Sequence, residues 1–254
     1  MMIQSEKGLW NGVCRRFGSL PSTNTWALEH LPELQEGDII RADIQTGGRG
    51  RFDRTWVAAP GKCLTVSIVL KDAVWLPLGP NLGQVAAWAV SEVLTRCGIP
   101  GQLKWPNDVM VNDCKVSGIL SERGEEGDGF VVGIGLNVNM LPQDFQQAGL
   151  SRPATSMAAA AGHAFDIEAV MASLREVLSR CLDTVREHGL APLWLAWNGR
   201  DWLAQRSIQL CGMDGELTVG NYLGLSAEGG LRLRTADALE RVCWAGDVER
   251  IQIL

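Results

Sequence analysis

The run from Gln45 to Trp56, QTGGRGRFDRTW, sets Arg49, Arg51 and Arg54 into a glycine-rich stretch and closes it with a tryptophan. Glycine at 47, 48 and 50 removes side chains where the backbone must bend sharply or approach another group closely. The arginines between them supply planar, permanently charged forks that match carboxylate or phosphate. Taken by itself, the run reads equally well as a solvated β-turn whose arginines pair with surface acids. The common nucleotide fingerprints do not settle it. A dinucleotide-type pattern needs a third glycine where GGRGRFD has Asp53, and GIGLNVN further on also lacks one. A phosphate-binding loop of the GxxxxGK type is absent too, because PGKC around Lys62 has neither the upstream glycine nor a following hydroxyl.

The rest of the chain makes this run stand out. The 254 residues carry a formal net charge of −6, so no general nucleic-acid-binding surface is expected and positive charge must be local. With 46% hydrophobic residues the chain can build a real core, as one sizeable domain or a large domain with a small companion. The opening MMIQSEKGLWNG lacks the apolar stretch of a signal peptide, and no apolar run is long enough to span a bilayer; a cytoplasmic protein is expected. Seven scattered cysteines include no CxxC pair, which argues against a zinc site or a disulfide framework. Cys63, Cys97, Cys211 and Cys243 read as small core residues. His30, His163 and His188 lack any partner motif and read as surface or core residues rather than catalysts.

Strand-like and helix-like segments alternate on both sides of the arginine run. STNTWALEHL predicts a helix from about Thr25, and GDIIRADIQ predicts a strand entering the run. CLTVSIVL reads as a buried strand after it, and GPNLGQVAAWAVSEVLTRCG as a long helix ended by Gly98 and Pro100. Three strand candidates follow, GQLKWPNDVMVN, CKVSGILSER and FVVGIGLNVNM, the last two joined by the polar turn GEEGDG. A helix over about Ile167 to His188 and a short one in LAPLWLAWN come next. From Arg206 onward, short strands separated by Gly- or Asp-containing turns predict a small β-barrel or curled sheet that must pack against the larger part.

The context of the arginines lies some way on, in KWPNDVMVNDCKVSGIL. It alternates Lys104, Asp108, Asp113 and Lys115, with Trp105, Pro106 and Asn107 among them. Pro106 fits a plain strand poorly because it removes a ladder donor. Lys115 lies close to Gly118, a position with no side chain, where a ligand can approach the backbone. At this point the sequence resembles the biotin protein ligases. The resemblance rests on GGRGRFDRTW, KWPNDV, KVSGIL and GIGLNVN in that order, with STN upstream, and runs from about residue 15 to the C-terminus. Lipoate ligases share the fold but carry an arginine-serine-glycine pattern at the arginine loop.

The resemblance implies an α+β architecture. A mixed-sheet catalytic domain of the class II aminoacyl-tRNA synthetase and biotin ligase type would occupy 1–205, and a small SH3-like β-domain 206–254. It implies an ATP-dependent ligase that makes biotinyl-5′-adenylate and then biotinylates a lysine of a biotin carboxyl carrier protein or domain, such as that of acetyl-CoA carboxylase. Magnesium accompanies ATP, held mainly by phosphate oxygens rather than by protein ligands. Lys115, Arg49 and Arg51 are the implied catalytic cations. Lys115 bridges the biotin carboxylate and α-phosphate, while the two arginines hold phosphate and close the loop. Biotin falls to Ser22, Thr23, Asn24, Gln45, Gly48, Arg49, Gly50, Arg51, Trp56, Lys115 and Gly118, the short hydroxyl and amide groups of Ser22, Thr23, Asn24 and Gln45 suiting a ureido ring. The nucleotide falls to Arg49, Arg51, Arg54, Trp105, Asn107, Asp108, Lys115 and Asn137. Ser22 also reads as a helix N-cap, Trp56 as core packing, Asn107 as a turn-fixing residue and Arg54 as a surface ion pair. STN at residue 22 leaves no room for the N-terminal DNA-binding domain that some relatives carry, so DNA binding is not expected, whereas a homodimer is compatible with open sheet edges.

Overall fold

A computed structural model describes residues 2–253 other than Asp53, Glu126, Asp128, Ser151 and Asp214, and for residues 249–253 the backbone alone. Strands β1 (Met2–Lys7) and β2 (Val13–Leu20) pair antiparallel; helix α1 (Thr23–Glu29) then crosses to β3 (Ile39–Gln45), and β4 (Cys63–Leu70) returns antiparallel. Because β2 and β3 are parallel, they require a crossover, which α1 and the turn after it supply. Helix α2 (Leu82–Arg96) leads to β5 (Gln102–Lys104), β6 (Asp108–Val111), β7 (Cys114–Arg123) and β8 (Phe130–Asn137). Among the described residues these eight strands form one mixed sheet, in the order β1-β2-β3-β4-β8-β7-β6-β5.

Two details of the sequence reading change. GQLKWPNDVMVN is two strands rather than one, since the ladder breaks after Lys104 and resumes at Asp108. Pro106, preceded by a cis peptide bond, sits in the turn between them, where its missing N–H costs no ladder bond. The first helix starts at Thr23 instead of about Thr25. Ser22 is its N-cap, extended at φ −152° and ψ 136°, and its hydroxyl accepts from Thr25 N–H at 3.4 Å.

Alternation along β4 divides the molecule into two sides. Leu64, Val66, Ile68 and Leu70 enter the larger core with Val85, Val90 and Val93 of α2. Thr65 and Ser67 point the other way: Thr65 Oγ1 donates to Ala42 O at 2.8 Å, and Ser67 Oγ lies 2.7 Å from Thr23 Oγ1. Short helices α3 (Pro142–Gln147) and α4 (Met157–Ala161) precede α5 (Ile167–His188) and α6 (Ala191–Asn198). α5 is capped by Asp166 and tied to the sheet by a bidentate pair, Arg41 to Glu168 at 2.6 and 2.7 Å. The cysteine reading is corrected in part. Cys63 is buried, but Cys97, Cys211 and Cys243 are half-buried, while Cys14 and Cys181 face the main core at 3% and 2% exposure.

From Arg206, β9 (Arg206–Cys211), β10 (Leu217–Leu225), β11 (Leu231–Thr235), β12 (Glu240–Cys243) and β13 (Asp247–Ile253) form a second sheet in the order β12-β11-β10-β9-β13. Its apolar residues Ile208, Leu210, Leu231 and Leu233 join the main core. The β10–β11 turn plugs into a polar socket. Trp194 Nε1 donates to Ala227 O at 2.6 Å, Asn81 Nδ2 to Glu228 O at 2.9 Å, and Trp105 Nε1 and Gln84 Nε2 each to Gly229 O at 3.1 Å. Only glycine fits there, because φ is +91° and a methyl group would come within 2.7 Å of Trp194 and 2.8 Å of Gln84.

Candidate active site

One cavity lies over the α1 side of β4, β7 and β8. At one end the start of α1 builds a short polar chain. Gln45 Oε1 accepts from Thr23 N–H at 2.8 Å and from Thr23 Oγ1 at 3.1 Å, and Ser67 Oγ approaches Asn24 Oδ1 at 2.5 Å. Asn24 Nδ2 donates to Leu120 O at 2.9 Å and to Glu122 Oε2 at 2.8 Å. The amide of Asn24 is thereby held in one orientation.

The floor is made by glycines. A methyl at Gly133 would overlap the Asn24 carboxamide, and one at Gly135 would overlap the Trp56 indole. At Gly118 a methyl would sit 2.8 Å from Lys115 Cε and Nζ and 3.2 Å from the Trp56 ring. Glycines from two strands therefore leave the space in which Asn24, Trp56 and Lys115 lie. The Trp56 indole N–H is buried and finds no acceptor among the described residues.

The arginine run is a small hairpin. Gly50 N–H bonds Arg54 O at 2.7 Å and Trp56 N–H bonds Gly48 O at 2.9 Å, while Arg49 and Thr55 form a bridge pair. Carboxylates hold both flanks. Arg49 Nη2 donates to Glu122 at 2.8 and 3.0 Å and its Nε to Thr25 Oγ1 at 3.1 Å. Arg54 pairs with Asp247 of β13, which also receives Arg152 at 2.6 Å. Burial pushes the Asp247 carboxyl up, but hydrogen bonds from Arg152 and Arg54 outweigh it and leave the pKa at about 2. Arg51 pairs with no carboxylate among the described residues and lies over the Phe52 ring at 4.7 Å. Burial holds its guanidinium below the usual range, against the pull of Asp247 and Asp108.

At the other end Lys115 Nζ pairs with Asp108 at 2.6 Å and sits 5.6 Å from the Trp56 ring centroid. Asn107 stitches the β5–β6 turn to β7, donating from Nδ2 to Ile119 O at 2.5 Å and accepting from Ile119 N–H at 3.0 Å. Lys104, 7% exposed, faces the Trp202 ring at 5.3 Å; burial lowers its pKa, with Asp108 opposing. This end is a cluster of cations in which Asp108 and Asp247 are the neutralising groups.

Thus Ser22, Thr23, Asn24, Gln45, Arg49, Gly50, Arg51, Arg54, Trp56, Asn107, Asp108, Lys115 and Gly118 converge on one cavity. Gly48, Trp105 and Asn137 do not line it. Gly48 closes the hairpin under Trp56; Trp105 is buried on the α2 side, and Asn137 Nδ2 donates to Thr155 O at 3.0 Å. Sequence reasoning missed Glu122, Asp247, Arg152, Lys104 and Ser67. Lys104 stands in KWPND, but Asp247 and Arg152 are far from any motif: Asp247 reaches the loop from the second sheet, and Arg152 comes from the segment whose Pro153 O accepts from Lys115 N–H at 3.0 Å. The three histidines stay outside the cavity, where His30 stacks on Trp26 at 4.0 Å and His163 contacts Phe165 at 4.6 Å.

Residues 16–139 match the model of the biotin/lipoate A/B protein ligase family. The chain is 35% identical over 185 residues to the biotin–[acetyl-CoA-carboxylase] ligase of Paracoccus denitrificans, covering 70% of this chain and 77% of that protein. It is 33% identical over 218 residues to the bifunctional ligase/repressor BirA of Bacillus subtilis, covering 84% of this chain. It spans about two thirds of that relative's length (66%). The biotin protein ligase of Aquifex aeolicus, solved in complex with biotin and ATP, superposes with a TM-score of 0.82 at 27% identity, over 95% of this chain and 99% of that one. The fold is the biotin protein ligase fold, and the chain belongs to the biotin protein ligases of the biotin/lipoate A/B protein ligase family.

Proposed function

We propose that the chain is an ATP-dependent biotin–protein ligase that passes biotin to a lysine of a biotin carboxyl carrier protein or domain. One observation carries this reading: α1, the arginine hairpin, Asp108 and Lys115 meet over a single glycine floor. The hydroxyl and amide groups at 22–24 and 45 suit the ureido ring. The cations at the far end suit phosphates, and the unsatisfied Trp56 N–H supports a polar occupant. In the first step a biotin carboxylate oxygen attacks the α-phosphorus and the bond to the β-phosphate breaks, releasing pyrophosphate. Lys115, preset by Asp108, and Arg51 offset the charge that builds as two anions approach. Arg49, Arg54, Lys104 and Arg152 extend that field. In the second step the acceptor amine attacks the acyl carbon; the acyl–phosphate bond breaks, AMP leaves and the amine loses a proton. The hairpin excludes water from the anhydride between the steps.

Each cavity carboxylate of the cation cluster is committed to a cation, and no group of three or more metal-ligating side chains occurs among the described residues. Magnesium therefore fits this site as a partner of the phosphate oxygens. Residues 1–205 serve as the catalytic domain, of class II synthetase type, and 206–254 as an SH3-like domain; the start of β9 at Arg206 supports that division. No described helix is long and apolar enough to cross a membrane. A cytoplasmic enzyme without a nucleic-acid partner, able to dimerise through an open sheet edge, completes the reading. Exchange of labelled pyrophosphate into ATP, run with biotin and with lipoate, tests it. Biotin-dependent exchange is expected; exchange with lipoate alone, or with neither, would overturn it.

A further inference from the structure

Glu122 belongs to none of the motifs that pointed to the site, yet among the described residues it is the one carboxylate that hydrogen-bonds both the α1 end and the arginine hairpin. It stands near the end of β7, its side chain 24% exposed. Its Oε2 accepts from Asn24 Nδ2 at 2.8 Å and from Arg49 Nη2 at 2.8 Å, and its Oε1 from the same Arg49 nitrogen at 3.0 Å. Asn24 also meets the pocket wall, where Ser67 Oγ lies against its carbonyl oxygen and Leu120 O takes its second amide hydrogen. Arg49, for its part, is anchored at Nε by Thr25 Oγ1, one residue along α1. A change in the orientation of Asn24 therefore moves the acceptor that keeps Arg49 down, and the reverse holds as well.

We propose that Glu122 is a positioning residue that couples occupancy of the Ser22–Asn24 pocket to closure of the arginine hairpin. Resting on the biotin reading above, this makes Arg49 a latch on the head-group side and leaves Arg51 as the hairpin cation that meets phosphate. A ligand that hydrogen-bonds Asn24 stiffens the amide, and the stiffened amide fixes the carboxylate to which Arg49 is tied. Closure then follows filling of the head-group pocket without any contact between Arg49 and the nucleotide.

Two variants of the full chain test this. Glu122→Gln keeps one acceptor oxygen for Asn24 but loses the charge and the second oxygen that Arg49 uses. Glu122→Ala removes both partners. Trypsin cleavage after Arg49 and Arg51 in ligand-free protein reports hairpin opening, and isothermal titration with biotin reports the pocket. Both variants are expected to be cut about fivefold faster than wild type, the size of a weak, half-exposed ion pair. Biotin affinity is expected to fall about tenfold in Glu122→Ala, the effect of an unpaired amide, and to stay within about twofold in Glu122→Gln. Saturating biotin should slow cleavage in wild type and do so less in either variant. Unchanged cleavage in both variants, or wild-type biotin affinity in Glu122→Ala, would overturn the coupling. Should Glu122→Ala fail to fold, Glu122→Gln decides through its cleavage rate and its loss of biotin protection. If wild type itself does not bind biotin, the functional reading fails, while the cleavage arm still decides whether Glu122 holds the hairpin.

Discussion

Lys115 shows how much of the site's chemistry sits in one side chain and its immediate surroundings. Its ammonium is placed by Asp108 at 2.6 Å and by the empty volume over Gly118. Removing the charge in Lys115→Ala should lower biotin-dependent pyrophosphate exchange by roughly a hundredfold or more, the scale of losing one preorganised electrostatic group. Exchange at the wild-type rate would remove the lysine from the chemistry. Gly118→Ala keeps the charge but puts a methyl 2.8 Å from Lys115 Cε and Nζ. It should reduce kcat by about tenfold or more through misplacement, with unfolding by urea little changed. A kcat equal to wild type would mean that the lysine has room to spare. Arg51→Ala should release the adenylate, seen as biotin on bystander lysines; labelling confined to the acceptor would argue against a closing role.

At the scale of elements, the second sheet contributes to the site by two routes. Asp247 of β13 fixes Arg54, and the 227–229 turn fixes Trp105, whose chain neighbours lead through Pro106 to Asn107 and Asp108. Gly229→Ala tests the plug: its φ of +91° and the close indole and amide groups of the socket should make it destabilising by roughly 2–4 kcal/mol in urea unfolding. Wild-type stability would show that the turn docks loosely. This level explains what the sequence conceals. The glycines, the arginines and Lys115 were legible because each departs from what its strand or turn requires. Glu122, by contrast, is one more polar residue at a strand end, and its role exists only because the Asn24 side chain of α1 reaches across to β7. Pro106 was legible as an anomaly but not as a break between two strands, since the flanking residues keep a strand-like alternation. The tryptophans also gain a purpose. Trp105 and Trp194 donate to the plug, and Trp202 donates to Asp113 at 2.8 Å while covering Lys104.

For the whole molecule, the joint between the sheets makes stability depend on pH. Asp201 lies at that joint and accepts from the hydroxyl of Tyr222, the chain's single tyrosine, at 2.6 Å. Burial pushes its pKa up to about 6, with the Tyr222 and Leu203 hydrogen bonds opposing. The folded state thus holds this proton more tightly than the unfolded chain, whose aspartates titrate near 3.9. Its stabilising contribution is complete below about pH 4 and is lost as pH rises through 6. Asp247 works in the opposite sense, contributing above about pH 4 and failing as pH falls toward 2. Asp201→Asn should therefore change the pH profile between 4 and 6, its stability relative to wild type rising by roughly 2 kcal/mol across that window. A difference that stays constant with pH would show that Asp201 titrates normally.

The most direct measurement is a crystal structure of the chain with a non-hydrolysable analogue of biotinyl-5′-adenylate. The account predicts the ureido ring against Ser22, Thr23 and Asn24, with Lys115 Nζ and the Arg51 guanidinium both within hydrogen-bonding distance of the acyl phosphate, and Arg49 still on Glu122. An analogue bound elsewhere, or a phosphate met by neither Lys115 nor Arg51, would contradict it.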